Sequence, residues 1–160
     1  MKTKGLILAA IHLALALSVA GKFYYDRTTL PHVWAKAAPY DPHLPIRGRY
    51  VRIQLDAQAA DRPPQGMYAT VQLATESNRL VARYAKGNRG LHQARVVRDD
   101  DAAVYRLTEP VAFFIPETIP DPSIRAAGEE LWVDVSVPRN GPPRPIRLGV
   151  KKSGVLTPLP

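Results

Sequence analysis

Tyr50-Val51-Arg52-Ile53-Gln54-Leu55 decides the fold. Apolar and polar side chains alternate along it. Val51, Ile53 and Leu55 therefore share one face, and Tyr50, Arg52 and Gln54 share the other. A period of two is the pattern of a strand with one side in a core and one in water. Residues 67–73, Met-Tyr-Ala-Thr-Val-Gln-Leu, repeat the pattern and place Val71 and Leu73 inward. So do residues 131–137, Leu-Trp-Val-Asp-Val-Ser-Val, with Val133, Val135 and Val137 inward. Weaker strands are expected at 33–38, 80–85, 92–98, 104–107, 111–115 and 146–150.

The breaks between these runs carry turn chemistry. They are Asp61-Arg62-Pro63-Pro64-Gln65-Gly66, Lys86-Gly87-Asn88-Arg89-Gly90, Asp99-Asp100-Asp101 and Asn140-Gly141-Pro142-Pro143. Pro stands at 16 of 160 residues against 10 Gly. An interior Pro costs a helix about 3 kcal/mol, so long helices are disfavoured beyond the N-terminus. The one short helix expected is Asp121-Pro122-Ser123-Ile124-Arg125-Ala126-Ala127-Gly128, with Asp at the cap, Pro in the first turn and Gly after the end. The fold class is mainly β, a small antiparallel sandwich or barrel.

Residues 5–21, GLILAAIHLALALSVAG, hold no Asp, Glu, Lys or Arg. A run that is apolar on all sides suits a membrane rather than the one-sided core of a small domain. Lys2 and Lys4 precede it, so the N-terminus stays in the cytoplasm and the remainder is exported. Phe23-Tyr24-Tyr25 follow and suit the membrane–water boundary. The expected organisation is an N-terminal membrane anchor or signal segment over residues 1–22 and one β-rich domain over 23–160. The domain is expected on the far side of that membrane from the cytoplasm. Cleavage near Gly21 and secretion is the alternative.

The chain contains no Cys, which excludes disulfides, thiolate metal sites and a Cys nucleophile. No G-x-S-x-G elbow, phosphate-cradling Gly loop or dinucleotide fingerprint occurs. His32, His43 and His92 are the only histidines beyond the apolar run. The fragment Asp41-x-His43 falls short of a metal site. No catalytic residue, metal or cofactor is expected. After Lys4, 20 of the 22 Lys and Arg remain against all 14 Asp and Glu, a net charge of +6. Export makes nucleic acid an unsuitable partner, whereas anionic lipid head groups or an acidic envelope polymer suit the charge. Arg47, Arg49 and Arg52 form a basic strip that would bind such an anion.

The stretch Tyr40-Asp41-Pro42-His43-Leu44-Pro45-Ile46-Arg47-Gly48-Arg49-Tyr50-Val51-Arg52-Ile53-Gln54-Leu55 resembles the GDYXXLXY family of bacterial membrane-anchored proteins. Asp41, Pro42, Leu44, Arg47, Gly48 and Tyr50 fit its pattern, and Ile53 stands where Leu is expected. Arg49 replaces the motif Asp, and Leu55 replaces the final Tyr. Val111-Ala112-Phe113-Phe114-Ile115-Pro116-Glu117 and residues 131–150 are similar to further family segments. The resemblance implies an anchored, exported β-rich module in which Asp41, Pro42, Gly48, Tyr50, Ile53 and Leu55 are structural. Family members are often encoded beside or fused to polytopic membrane proteins, which implies a membrane partner and no established activity. The expected function is therefore a non-catalytic envelope interaction module. The alternative is a module that binds an anionic polymer or lipid head groups.

Overall fold

Every stretch with a period of two forms a strand in the computed structural model of the chain. The structure describes residues 2–40, 50–64, 66–87, 91–99, 102–116 and 121–159. Among them lie one helix, α1 (Lys2–Thr29), and ten strands. The strands are β1 (His32–Pro39), β2 (Tyr50–Ala59), β3 (Tyr68–Glu76), β4 (Arg79–Tyr84), β5 (His92–Asp99), β6 (Ala102–Leu107), β7 (Val111–Phe114), β8 (Glu129–Ser136), β9 (Arg144–Lys152) and β10 (Val155–Pro158). Two compact units result, residues 1–30 and 31–160.

α1 runs past the expected boundary at residue 22. Leu30 still donates to the Asp26 carbonyl at 3.1 Å. Pro31 then stops the helix, because the residue before a proline avoids the helical region. The stretch 4–29 is long and apolar enough to cross a membrane, and none of its apolar window is buried in protein.

In the second unit, β1, β4, β3, β5, β6 and β2 close into a six-strand barrel. β8, β9 and β10 extend the sheet outward from β1, and β7 extends it from β2. The barrel is not antiparallel throughout. From β2 through β6, β5 and β3 to β4, each of four joints reverses the direction. β4 must then meet β2 running the same way, and it does, through Gln58↔Val81 and Ala59↔Ala82. β1 touches β4 at a single parallel pair, Trp34↔Arg79.

The inward phases share one core. Val33, Ala35 and Ala37 of β1, Val51, Ile53, Leu55 and Ala57 of β2, and Val71 of β3 are buried. Leu80 and Ala82 of β4, Tyr105 and Leu107 of β6, and Leu131, Val133 and Val135 of β8 join them, with Val137 just beyond that strand. A fully buried Val, Leu or Ile contributes roughly 1.5–3 kcal/mol. Leu73, expected inside, is half-buried and packs against the edge of this core.

Residues 121–128 form turns instead of the expected helix. The Asp121 carboxylate accepts from the Ser123 N–H at 2.8 Å and from its hydroxyl at 2.7 Å. That local bond competes with a helix too short to nucleate. β10 was not expected. Its hairpin with β9 turns on Ser153 and Gly154, both at positive φ (49° and 84°), as a two-residue type I′ loop requires. Ser77 and Asn78 make the same turn between β3 and β4. Pro145 sits in β9 where the ladder shifts register opposite Asp134 and Val135, a site where a missing N–H is tolerated.

Candidate binding cleft at the barrel seam

The outward phase of β1 carries Trp34 and Lys36, because Val33, Ala35 and Ala37 point inward. The outward phase of β8 likewise carries Glu130, Trp132 and Asp134. Register brings these residues together: Lys36 lies opposite Trp132 on one side and Asp56 on the other. Trp34 lies opposite Asp134. The pairs that join β1, β2 and β4 along the seam include Lys36↔Asp56, Trp34↔Arg79 and Gln58↔Val81. Beside these pairs lies a cleft of about 370 Å³. Trp34, Lys36, Glu130, Trp132 and Lys151 line it from β1, β8 and β9, together with Asp56, Gln58, Asn78, Arg79 and Val104.

Ion pairs fix the acidic side chains of the cleft. Asp56 is buried and receives Arg106 Nε and Nη2 on its two oxygens, each at 2.7 Å. Glu130 receives Lys36 Nζ on one oxygen at 2.9 Å and Trp132 Nε1 on the other at 3.0 Å. The hydrogen bond from Lys36 is the main reason that the Glu130 carboxyl lies below its ordinary pKa; the Trp132 N–H acts in the same direction and burial opposes both. Nearby, buried Asp134 accepts from Arg147 Nε at 2.9 Å.

The same network holds both tryptophans of the chain. Lys151 Nζ sits 4.6 Å from the centre of the Trp132 ring, and the Arg147 guanidinium carbon sits 5.2 Å from that of Trp34. Each contact is a cation–π interaction, worth about 0.5–1 kcal/mol at an exposed site. Trp34 reaches across β8 to lie on Gly149 of β9. A Cβ at Gly149 would stand 2.9 Å from Trp34 Cζ3 and 3.2 Å from the Thr157 carbonyl oxygen. Gly149→Ala is therefore expected to displace the indole and destabilise the domain by about 1–3 kcal/mol, read by chemical denaturation with tryptophan fluorescence.

Protonation of Glu130 releases Lys36 and Trp132. Because the carboxyl is depressed in the folded state, its stabilising contribution is present above the ordinary value of 4.5 and is lost as pH falls through the lower folded value. An acid titration of indole emission should therefore show a step below pH 4.5. Glu130→Gln should remove that step.

Of the residues expected to form the site, only Arg52, Tyr50, Ile53 and Leu55 are among those the structure describes. Arg52 lies on the outer face of β2 with its guanidinium carbon 4.7 Å from the centre of the Tyr40 ring, and it does not line the cleft. Tyr50 opens β2, is exposed, and meets Phe114 of β7 edge-to-face at 5.5 Å. Ile53 and Leu55 are fully buried. Asp41, Pro42, His43, Arg47, Gly48, Arg49 and Glu117 lie outside the described residues, as do Asp100 and Asp101. Among the described residues no group of three or more His, Asp and Glu is arranged to hold a metal ion. The cleft itself escaped the sequence reading, although it leaves a signal there: a Trp on the polar phase of two amphipathic strands. Compared with protein-family models, curated proteins and solved structures, the chain matches none.

Proposed function

We propose that this protein is a non-catalytic binding domain, tethered by α1 to a bacterial cytoplasmic membrane and displayed on its outer side. The observation that carries the reading is α1 itself. A helix of 28 residues whose apolar window buries nothing in protein suits an apolar medium. Lys2 and Lys4 orient it with the N-terminus inward.

The chemistry of the cleft supports binding rather than catalysis. Its described lining offers no Ser, Thr, His or Cys. Its two carboxylates are committed to Arg106 and to Lys36 and Trp132, so neither is poised to take a proton from a substrate. The resemblance of residues 48–55 to the GDYXXLXY pattern favours an anchored module that works beside a membrane partner.

The reading predicts that the full chain stays in the membrane pellet after an alkaline carbonate wash. Its intact mass should include the apolar run. A mature chain beginning near Gly21 in the soluble fraction would overturn the tether.

A further inference from the structure

We infer that the seam cleft binds an acidic saccharide, with the sugar ring on the indoles and its carboxylate on the cations of the rim. The inference deepens the binding-domain reading and rests on it only for the cellular source of the ligand.

The acceptors of the cleft are already used. Both oxygens of Asp56 and both of Glu130 carry hydrogen bonds from protein donors at 2.7–3.0 Å. The donors are not. Arg79 makes one long bond, 3.5 Å, to Gln58 Oε1, and Lys151 rests on the face of Trp132. Asn78 and Gln58 add planar amides beside them. A ligand that completes this site brings acceptors and negative charge.

The second requirement is a flat apolar face. Trp34 and Trp132 are diagonal neighbours on adjacent strands, a spacing of about 7–8 Å. Both are held before any ligand arrives, Trp34 by Gly149 and Arg147, Trp132 by Glu130 and Lys151. Such preorganisation lowers the entropy lost on binding. A volume of about 370 Å³ is that of a small-molecule site and suits one or two sugar rings. A pyranose presents C–H groups on a ring face and hydroxyls at its rim. A uronic-type sugar adds the carboxylate that Arg79 and Lys151 require.

Both tryptophans line the cleft, so all indole emission reports on it. The test titrates the full chain in detergent micelles at low salt with three probes. They are a hexamer of α-1,4-linked galacturonic acid, neutral maltohexaose and phosphatidylglycerol vesicles. The acidic hexamer should shift the emission saturably, and maltohexaose should bind at least tenfold more weakly. Arg79→Gln and Lys151→Gln should each weaken the acidic hexamer at least fivefold, and the Arg79 variant should keep the melting temperature of the parent chain. Trp132→Phe, which keeps a ring, should weaken it less than Trp132→Ala. Arg83→Gln, on β4 and paired with Glu76, should change nothing. Equal affinity for the neutral hexamer overturns the assignment to an acidic sugar. A response to vesicles alone transfers the site to lipid head groups and overturns it too, as does no response to any probe. None of these outcomes depends on which side of the membrane the barrel occupies, so they leave the tether reading separately testable.

Discussion

Arg106→Leu should destabilise the domain by about 3 kcal/mol, while adding Asp56→Val in the same chain should recover most of that loss. The asymmetry follows from burial. The Asp56 side chain is 4% exposed and that of Arg106 31%. Removing the arginine leaves a carboxylate in the barrel wall without its two charge-assisted hydrogen bonds. Lys36 faces Asp56 from β1 and also bonds to Glu130, so it does not replace the two-pronged contact of the guanidinium. Removing both charges instead leaves two apolar side chains opposite each other in the β2–β6 ladder, and such replacements are often neutral. Arg95 lies opposite Arg106 on the other side, so losing Arg106 also relieves a like-charge neighbour. That gain is small beside the stranded carboxylate. Denaturant midpoints of the single and double variants measure the difference directly. A double variant less stable than Arg106→Leu alone would refute the account of the pair.

Ile53→Ala should cost about 2–5 kcal/mol, the range for deleting a fully buried aliphatic chain that leaves a cavity. Ile53 is 0% exposed and sits mid-strand, paired with Pro39 of β1 on one side and Val111 of β7 on the other. Its neighbour Arg52 gives the contrast. Arg52→Ala loses stacking on Tyr40 and should cost about 0.5–1 kcal/mol. Equal costs at the two positions would mean that β2 does not present its alternate faces as described.

These two positions also mark what the sequence could convey. Alternation assigned Ile53 inward and Arg52 outward because the signal is local: each residue's face follows from its neighbours. The same logic located nine strands from runs of a few residues. Alternation says nothing of ring closure, which depends on β4 meeting β2 some twenty residues away in the chain. The choice between sandwich and barrel therefore stayed open until the structure. β10 was missed because its four residues bury little and end on Pro158. At 121–128 the right cap and stop residues stood around too few residues to hold a helix against the Asp121 turn.

The site was less legible for a related reason. A basic strip was expected from Arg47, Arg49 and Arg52, which are close in sequence. Arg52 stacks on Tyr40, and Arg47 and Arg49 lie outside the described residues. The cations of the cleft, Lys36, Arg79 and Lys151, come from three strands and converge only through register. Asp56 gave no signal of its own, since its partner Arg106 lies fifty residues on. Trp34 and Trp132 did stand out of phase, each a large ring on the face that water should wet.

The tether reading is tested most directly by cysteine labelling, which the absence of native Cys makes clean. Asn140→Cys places a thiol in the exposed loop between β8 and β9, and Thr3→Cys places one before the apolar run. In spheroplasts treated with a membrane-impermeant maleimide, the thiol at position 140 should react and that at position 3 should react only after the membrane is opened. Labelling at position 3 with protection at position 140 would place the barrel in the cytoplasm and contradict the account.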